Sequence, residues 1–539
     1  MAVALAAAAP AVAQEFGADS PQVLALREAY LRAGLALPLT SFPASLRQLR
    51  EAGAAVGYVP ETAAAPEAEG ARYYAFLDTV LEAWLAGEGL MIEPAAPRVG
   101  VDLARAWAGR APFLRAGLAV AADNGLFIGL EIEGRKEWDG VYHNTWNLPA
   151  DGGSGQGLLF DNQILARGML AWEGDGVRLS LGRGPVQLGP AALKGFYPTE
   201  LLPYVDAFRF YGRLGRLSFD WLFGGFYPIE SWEAIGPDGD GVFQNDVIKK
   251  DELWNGASPT PPFFGIHRIQ YTGRRFRAAI GEQIFYARSP VYWEANDFLP
   301  VATWHGLDFY PDNMALILDF SWAAAPGLAL HAMAGYDDIS SDIFGVADSP
   351  VPTIDAYALA AEYAAPSLLG GLRALAQAGY THYLWGNFDA IESHSDLLGG
   401  EKLHLARQVA RYYTDDGDGI LLPFSSPYGP GAAWLKLDAF ARPLAPWLTL
   451  SLDALILSKN TQANLVDTEY KRDPAIENAP RTLFIELGLK ARAEADLGFG
   501  RGFISLRPGL VAKDGALAGA LDLRAGLSFG AGDGALRRY

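Results

Sequence analysis

Leu448-Thr449-Leu450-Ser451-Leu452-Asp453-Ala454-Leu455-Ile456 decides the fold class, because Leu448, Leu450, Leu452, Ala454 and Ile456 alternate with Thr449, Ser451 and Asp453. Side chains alternate faces only along an extended strand, so one face here meets something apolar and the other something polar. Leu483, Ile485, Leu487, Leu489 and Ala491 repeat the pattern against Glu486, Lys490 and Arg492, as do Leu521, Leu523, Leu527 and Phe529 against Asp522, Arg524 and Ser528. These runs approach the roughly 10 residues of a membrane strand, beyond the typical ~6 of a strand in a soluble sandwich.

Earlier hairpins read the same way. Phe208 and Phe210 oppose Arg209, Tyr211 and Arg213, and after a turn at Gly215 come Leu217, Phe219, Trp221 and Phe223 opposing Ser218 and Asp220. An arginine on a lipid face costs about 2 to 4 kcal/mol at the midplane, so the charged rows belong inside. Half of the 539 residues are apolar and 12% aromatic, yet beyond the extreme N-terminus no stretch reaches the roughly 18 uncharged apolar residues of a membrane helix. Only a closed barrel then satisfies every backbone polar group in hydrocarbon. We expect an all-β transmembrane barrel of about 18 antiparallel strands, between about 16 and 20, with the segment Gly419 to Pro430 doubtful as a strand.

Ahead of the barrel, Ala2 to Ala13 form a short apolar run ending in Ala11-Val12-Ala13, the small-x-small pattern of a signal cleavage site, which predicts a mature start at Gln14. Ser20-Pro21 then opens a helix whose stripe of Val23, Leu24, Leu26, Tyr30 and Leu31 stops near Gly34. A second helix is expected from Pro43 to Gly53. A third is read from Tyr73, Leu77, Val80, Leu81 and Trp84 before Gly87, with an Ala/Pro/Glu-rich linker at Glu61 to Gly70 between them. The expected organisation is a signal peptide over 1–13, a periplasmic helical domain and possible plug over 14–95, and an outer-membrane barrel over 96–539. The terminal Tyr539 is of the aromatic kind that barrel-assembly machinery reads.

Zero cysteines exclude a disulfide framework and thiolate chemistry, and the formal charge of -19 argues against nucleic acid as a partner. No Gly-x-Ser-x-Gly elbow or phosphate loop is present, the histidines lack metal-ligand spacing, and we expect no enzyme and no cofactor. Asp238 and Asp240, in Pro237-Asp238-Gly239-Asp240-Gly241, are weak candidate metal ligands without EF-hand spacing, and Asp-Gly is an ordinary turn pair. The long loops mix aromatic rings with hydrogen-bonding groups, Trp138, Tyr142, His143 and Trp146 in one and Tyr292, Trp293, Trp304 and His305 in another. A pyranose offers an apolar face and a rim of hydroxyls, so such a mixture suits a polysaccharide. Barrels also place Trp and Tyr in girdles at both interfaces, which is the structural reading of the same residues.

Leu181-Gly182-Arg183-Gly184-Pro185 continuing to Leu188-Gly189-Pro190, then Gly281-Glu282 with Tyr286, Phe298-Leu299-Pro300, and Asp312-Asn313 leading into Asp319 come in an order that resembles the Wzi-type capsule-assembly proteins. Leu188 stands where that family has Trp. The resemblance implies an outer-membrane barrel with an N-terminal helical bundle that binds exported polysaccharide without catalysis, and it adds Arg183 and Glu282 to the candidate binding residues. An acidic capsule would be repelled by a chain of this charge unless a basic patch or bound cations intervene. The alternative is a porin or solute-selective channel, with Arg209, Arg213, Arg407 and Arg411 lining a water-filled pore. The first reading predicts a blocked lumen and the second a measurable conductance.

Overall fold

A computed structural model describes residues 15–60, 72–86, 111–122, 124–135, 147–148, 165–193, 195–198, 204–225, 247–248, 262–287, 312–339, 352–365, 367–386, 406–409, 419–424, 426, 428–442, 447–463, 471–497 and 500–532. The first helix follows its punctuation, and the second, expected from Pro43, starts at Leu46 because residues 44–45 are extended and pair with residues 15–16. Helix α1 (Pro21–Ala33) starts where the Ser20 hydroxyl accepts from the Val23 N–H and stops at Gly34, whose left-handed φ of 63° an L side chain would resist. Helix α2 (Leu46–Ala54) opens with a capping box in which Ser45 and Gln48 satisfy each other's backbone N–H groups. Val23, Leu26, Leu46 and Leu49 are buried together with Phe42, and the Tyr30 hydroxyl donates to Ala52 O at 2.7 Å, joining the two helices. Burial pushes the Tyr30 phenol up to about 12, against a lowering by Arg213, so it stays a donor.

The third expected helix is instead a strand. Arg72–Ala86 is β1, the first strand of the barrel, so the barrel begins ahead of the expected boundary at residue 96. The apolar residues were real but their period was ambiguous: Tyr73, Leu77 and Leu81 are four apart, a spacing that shares a face in a helix and in a strand alike. Tyr73, Leu77 and Leu81 point outward and exposed, while Phe76 points inward and is buried.

The remaining strands follow in chain order: β2 (Leu114–Ala121), β3 (Leu126–Gly134), β4 (Leu165–Gly174), β5 (Val177–Gly184), β6 (Val205–Leu214), β7 (Leu217–Gly225), β8 (Pro262–Thr272) and β9 (Phe276–Ala287). Then come β10 (Asp312–Ala325), β11 (Leu328–Asp338), β12 (Ile354–Ala365), β13 (Leu372–Thr381) and β14 (Ala432–Ala441). The series ends with β15 (Leu448–Asn460), β16 (Arg481–Asp496), β17 (Arg501–Lys513) and β18 (Ala516–Gly532). Neighbours pair antiparallel, and β18 closes on β1 with Leu527 opposite Leu81, which makes a closed barrel of 18 strands as the sequence led us to expect. Gly419–Pro423, the doubtful stretch, pairs with Ala406–Val409 and Val247–Ile248 in a separate small sheet.

The outward rows of β2, β12 and β16 are apolar and open: Leu118 is 65% exposed, Leu359 60% and Leu489 53%. Inward rows on the same strands carry Arg115, Glu362 and Lys490. An exterior of this kind is stable against hydrocarbon, and closure leaves no unpaired strand edge in it. Among the described residues no helix is long and apolar enough to cross a membrane. Most hairpins at one mouth turn within a few residues, as at 175–176, 215–216 and 326–327, whereas the connections at the other mouth are mostly long.

Candidate functional site

The N-terminal segment is held inside the barrel from the short-turn mouth. Gly327 N–H donates to Leu31 O at 2.7 Å and Ala36 N–H to Arg274 O at 3.1 Å, so the end of α1 and the residues just after it rest on two barrel turns. Arg47 pairs with Asp175 in the turn after β4, and Glu51 lies 3.7 Å from Arg213. From that mouth the chain runs inward, and at Ser41–Phe42 it pairs with Gln187–Leu188, a segment folded in from the long-loop side. Gly189 N–H donates to Thr40 O at 2.8 Å where the two meet.

Charged residues on the inner wall fix this segment. Arg268 of β8 is fully buried, and its fork grips Asp319 of β10 at 2.9 and 3.0 Å. Its remaining donors reach Thr40 Oγ1 and Gln270 Oε1, each at 2.9 Å, and Asp220 of β7 lies 3.6 Å away. Ser41 Oγ donates to Asp220, and Arg209 of β6 donates to Ser41 Oγ and, at 3.1 Å, to Pro43 O. Arg277 donates to Leu37 O at 2.9 Å and Gln270 to Pro38 O at 2.9 Å, so the wall satisfies backbone carbonyls of a segment that has no ladder of its own there. A second cluster joins Arg27 of α1 to Glu362 of β12 at 3.0 Å, with Arg373 and His331 each 3.6 Å from the same carboxylate. Near the chain start, Glu15 accepts from Arg178 of β5, and Ser45 Oγ donates to Glu173 of β4 at 2.6 Å.

Above this polar layer the lumen is filled by an apolar core like that of a soluble protein. Leu193, Phe196 and Tyr197 from the inward segment meet Leu384, Trp385, Phe424 and Tyr428, with Phe196 and Trp385 centroids 5.1 Å apart and Phe424 edge-on to Phe285 at 4.8 Å. Gly281 of β9 is needed there: a Cβ on it would lie 2.1 Å from the Tyr197 hydroxyl. The plug therefore enters from one mouth, the inward segment from the other, and the two join mid-barrel.

The expected site residues fall in three groups. Trp138, Tyr142, His143, Trp146, Tyr292, Trp293, Trp304, His305, Arg411, Asp238 and Asp240 lie outside the described residues, and of Arg407 only the backbone is described. Arg183 and Glu282 sit on outward rows, sharing faces with the exposed Leu181 and Ile280. Arg183 grips Asp206 at 2.7 and 2.9 Å with the Tyr204 ring 4.1 Å from its guanidinium carbon, and Glu282 stands across from His267; the structure does not bring them together. Arg209 does face inward, yet it is buried under residues 41–43, and Arg213 lies at the short-turn mouth. The residues that build the plugged lumen, Arg27, Thr40, Ser41, Arg268, Arg277 and Glu362, were missed. Their only signal in the sequence is the inward polar row itself, which gives a face but no partner.

Fold and site together define a closed 18-stranded barrel with a lipid-compatible exterior and a lumen occupied by its own N-terminal segment. No family model matches the chain, and no curated protein sequence matches it. Among solved structures the chain is similar to Wzi, an Escherichia coli outer-membrane protein involved in group 1 capsule assembly and described as a carbohydrate-binding β-barrel, with a TM-score of 0.49 and 10% identity over 96% of this chain and 99% of that one. It is also similar to OpdQ of Pseudomonas aeruginosa (TM-score 0.38, 10% identity, 86% and 98% covered) and to a BenF-like porin from Pseudomonas fluorescens Pf-5 (TM-score 0.39, 10% identity, 85% and 98% covered). These are likenesses of barrel architecture.

Proposed function

We propose that the chain is an outer-membrane barrel that holds polysaccharide at the cell surface without catalysing a reaction on it. The observation that carries this reading is the filled lumen. Barrels of about 16 to 18 strands leave an aqueous channel when nothing occupies them, and here two segments and a buried ion network are committed to filling that space. A wall spent on holding a plug is poorly suited to free diffusion of large solutes. Outer-membrane barrels keep short turns in the periplasm, so residues 15–60 belong on that side and the long connections, with their Trp, Tyr and His, on the outer one. The barrel-assembly machinery and outer-membrane lipid are the expected partners in biogenesis and residence.

The test is binding of purified, detergent-solubilised protein to exported polysaccharides of the source cell, by calorimetry or an immobilised-glycan assay. Trp146→Ala and Trp304→Ala should each weaken binding by roughly fivefold, about what one lost aromatic platform of ~1 kcal/mol gives. Absence of binding to every exported polysaccharide, together with a steady large conductance from the intact chain, would sink the reading.

A further inference from the structure

The plug fills the barrel unevenly. On β7, β8, β9 and β10 the inward Asp220, Arg268, Gln270, Arg277 and Asp319 are each no more than 3% exposed. Farther round the wall, at similar mid-strand depth, the inward Lys436 and Asp438 of β14 keep 33% and 38% of their side chains accessible, and Asp453 of β15 and Glu486 of β16 keep 31% and 26%. Toward the short-turn mouth Arg492 and Glu494 keep 33% and 49%.

The bonding pattern differs in the same sense. On the sealed side the wall donates to residues 37–43, whereas on the open side it pairs with itself: Lys436 with Asp438 at 3.0 Å, Arg507 with Asp453 and, at 2.8 Å, with Glu486, and Arg492 with Glu494 at 2.7 Å. At the long-loop mouth β17 and β18 are joined by the tight turn Asp514-Gly515, and Gly509 and an exposed Ala518 opposite Val511 leave the inward row there without bulky groups. Charged groups that are paired and still solvent-accessible inside a barrel require water beside them, and a wetted charged wall carries ions.

We propose that a narrow water-filled passage runs beside the plug past the mid-strand charges of β14 to β17 and leaves by the β17–β18 end of the long-loop mouth, since Trp434, Leu457 and Lys459 close the long-loop ends of β14 and β15. It passes small ions of either sign while the plug excludes larger solutes. The mixed signs along the wall give it weak charge selectivity. This goes beyond the polysaccharide reading and does not require any glycan to be bound.

The chain has no cysteine, so single thiols can be placed on a clean background. Two matched substitutions separate the halves of the wall: Ser451→Cys on the inward row of β15, half-buried on the open side, and Ser321→Cys on β10, buried on the sealed side. The intact chain, folded into planar bilayers, should show a small steady conductance. A charged methanethiosulfonate reagent added from either face should modify Ser451→Cys and lower the current by roughly half, as a bulky charged group in a constriction does, and leave Ser321→Cys unmodified. Lys436→Cys serves as a second open-side position should Ser451→Cys fail to fold. No current from the intact chain, equal reaction at the two positions, or modification without loss of current would each overturn the proposal. Failure to bind glycan would leave it standing.

Discussion

Asp319→Ala should be the most damaging single change to the lumen, and its cost can be worked from the geometry. The substitution leaves Arg268 fully buried with Asp220 at 3.6 Å as its remaining carboxylate, and Asp220 is also 3.9 Å from Arg209. Removing one partner of a buried ion pair costs about 3 to 5 kcal/mol, and the shared Asp220 places this case near the lower end, at about 3 kcal/mol. Arg268→Met should cost a similar amount, since it strands Asp319 and takes the donor from Thr40. The double variant leaves no uncompensated pair and loses chiefly the charge-assisted bond to Thr40, worth about 1.5 kcal/mol. The cycle should therefore show a coupling of more than about 2 kcal/mol, far above the ~0.5 kcal/mol scatter of independent sites. The assay is reversible urea unfolding of protein folded into liposomes, followed by tryptophan fluorescence. A cost for Asp319→Ala below about 1 kcal/mol, or additive single changes, would refute the placement of this pair in a dry lumen.

Deleting residues 15–58 should raise single-channel conductance many-fold over the intact chain if the wall closes without them; unchanged conductance would mean that the segment does not block the lumen. Leu489→Arg, on an outward position 53% exposed, should cost about 2 to 4 kcal/mol in lipid-folded protein if it lies near the midplane, and a neutral result would place β16 away from hydrocarbon. Gly281→Ala should displace Tyr197 and cost about 1 to 3 kcal/mol by overpacking, restored in part by a smaller residue at 197. His382, just beyond β13, is held down to about 4 by burial, against a raising by Asp355, while its Nδ1 accepts from Leu384 N–H at 3.2 Å. Its folded value lies below the unfolded 6.5, so the folded state binds fewer protons; stability should be full above that pH and fall between about 6.5 and 4. His382→Asn should flatten the urea midpoint over that window, and an unaltered pH slope would rule out the assignment.

The fold was legible where one face of a strand had no reason to be ambiguous. In β15, β16 and β18 the outward leucines alternate with Asp, Glu, Lys and Arg, and the period alone gives both the strand and its sidedness. The α1 caps were equally readable, because Ser20 and Gly34 act on neighbours within four residues, whereas the second helix, expected from Pro43, begins only at Leu46 behind the Ser45 cap. β1 was not readable as a strand, since Phe76 and Val80 place apolar groups on the inward face as well and blur the two-residue period. Closure of β18 on β1 joins residues more than 400 positions apart, and no local pattern encodes it. For the site the divide is sharper. The inward row announces that Arg209 and Asp220 face the lumen, but whether they meet water or a plug depends on a segment more than 160 residues away.

That dependence explains the disposition of charge inside the barrel. An inward arginine facing water needs no particular partner, so on β14 to β17 short-range pairs along the wall are sufficient and each is worth little. An inward arginine covered by the plug has lost its water and needs protein partners; Arg268 places four of its N–H groups on Asp319, Gln270 and Thr40, whereas Arg209 and Arg277 each keep a buried Nε without one. Buried pairs of this kind add little net stability over apolar packing, yet they penalise any plug position that leaves an ion uncovered. Their contribution is therefore to register: a plug displaced by one residue along its path would move Thr40 and Ser41 away from Arg268 and Asp220 and leave buried charges unmet. The same wall, bonded to the plug on one side and wetted on the other, accounts at once for how the plug is seated and for why water remains beside it.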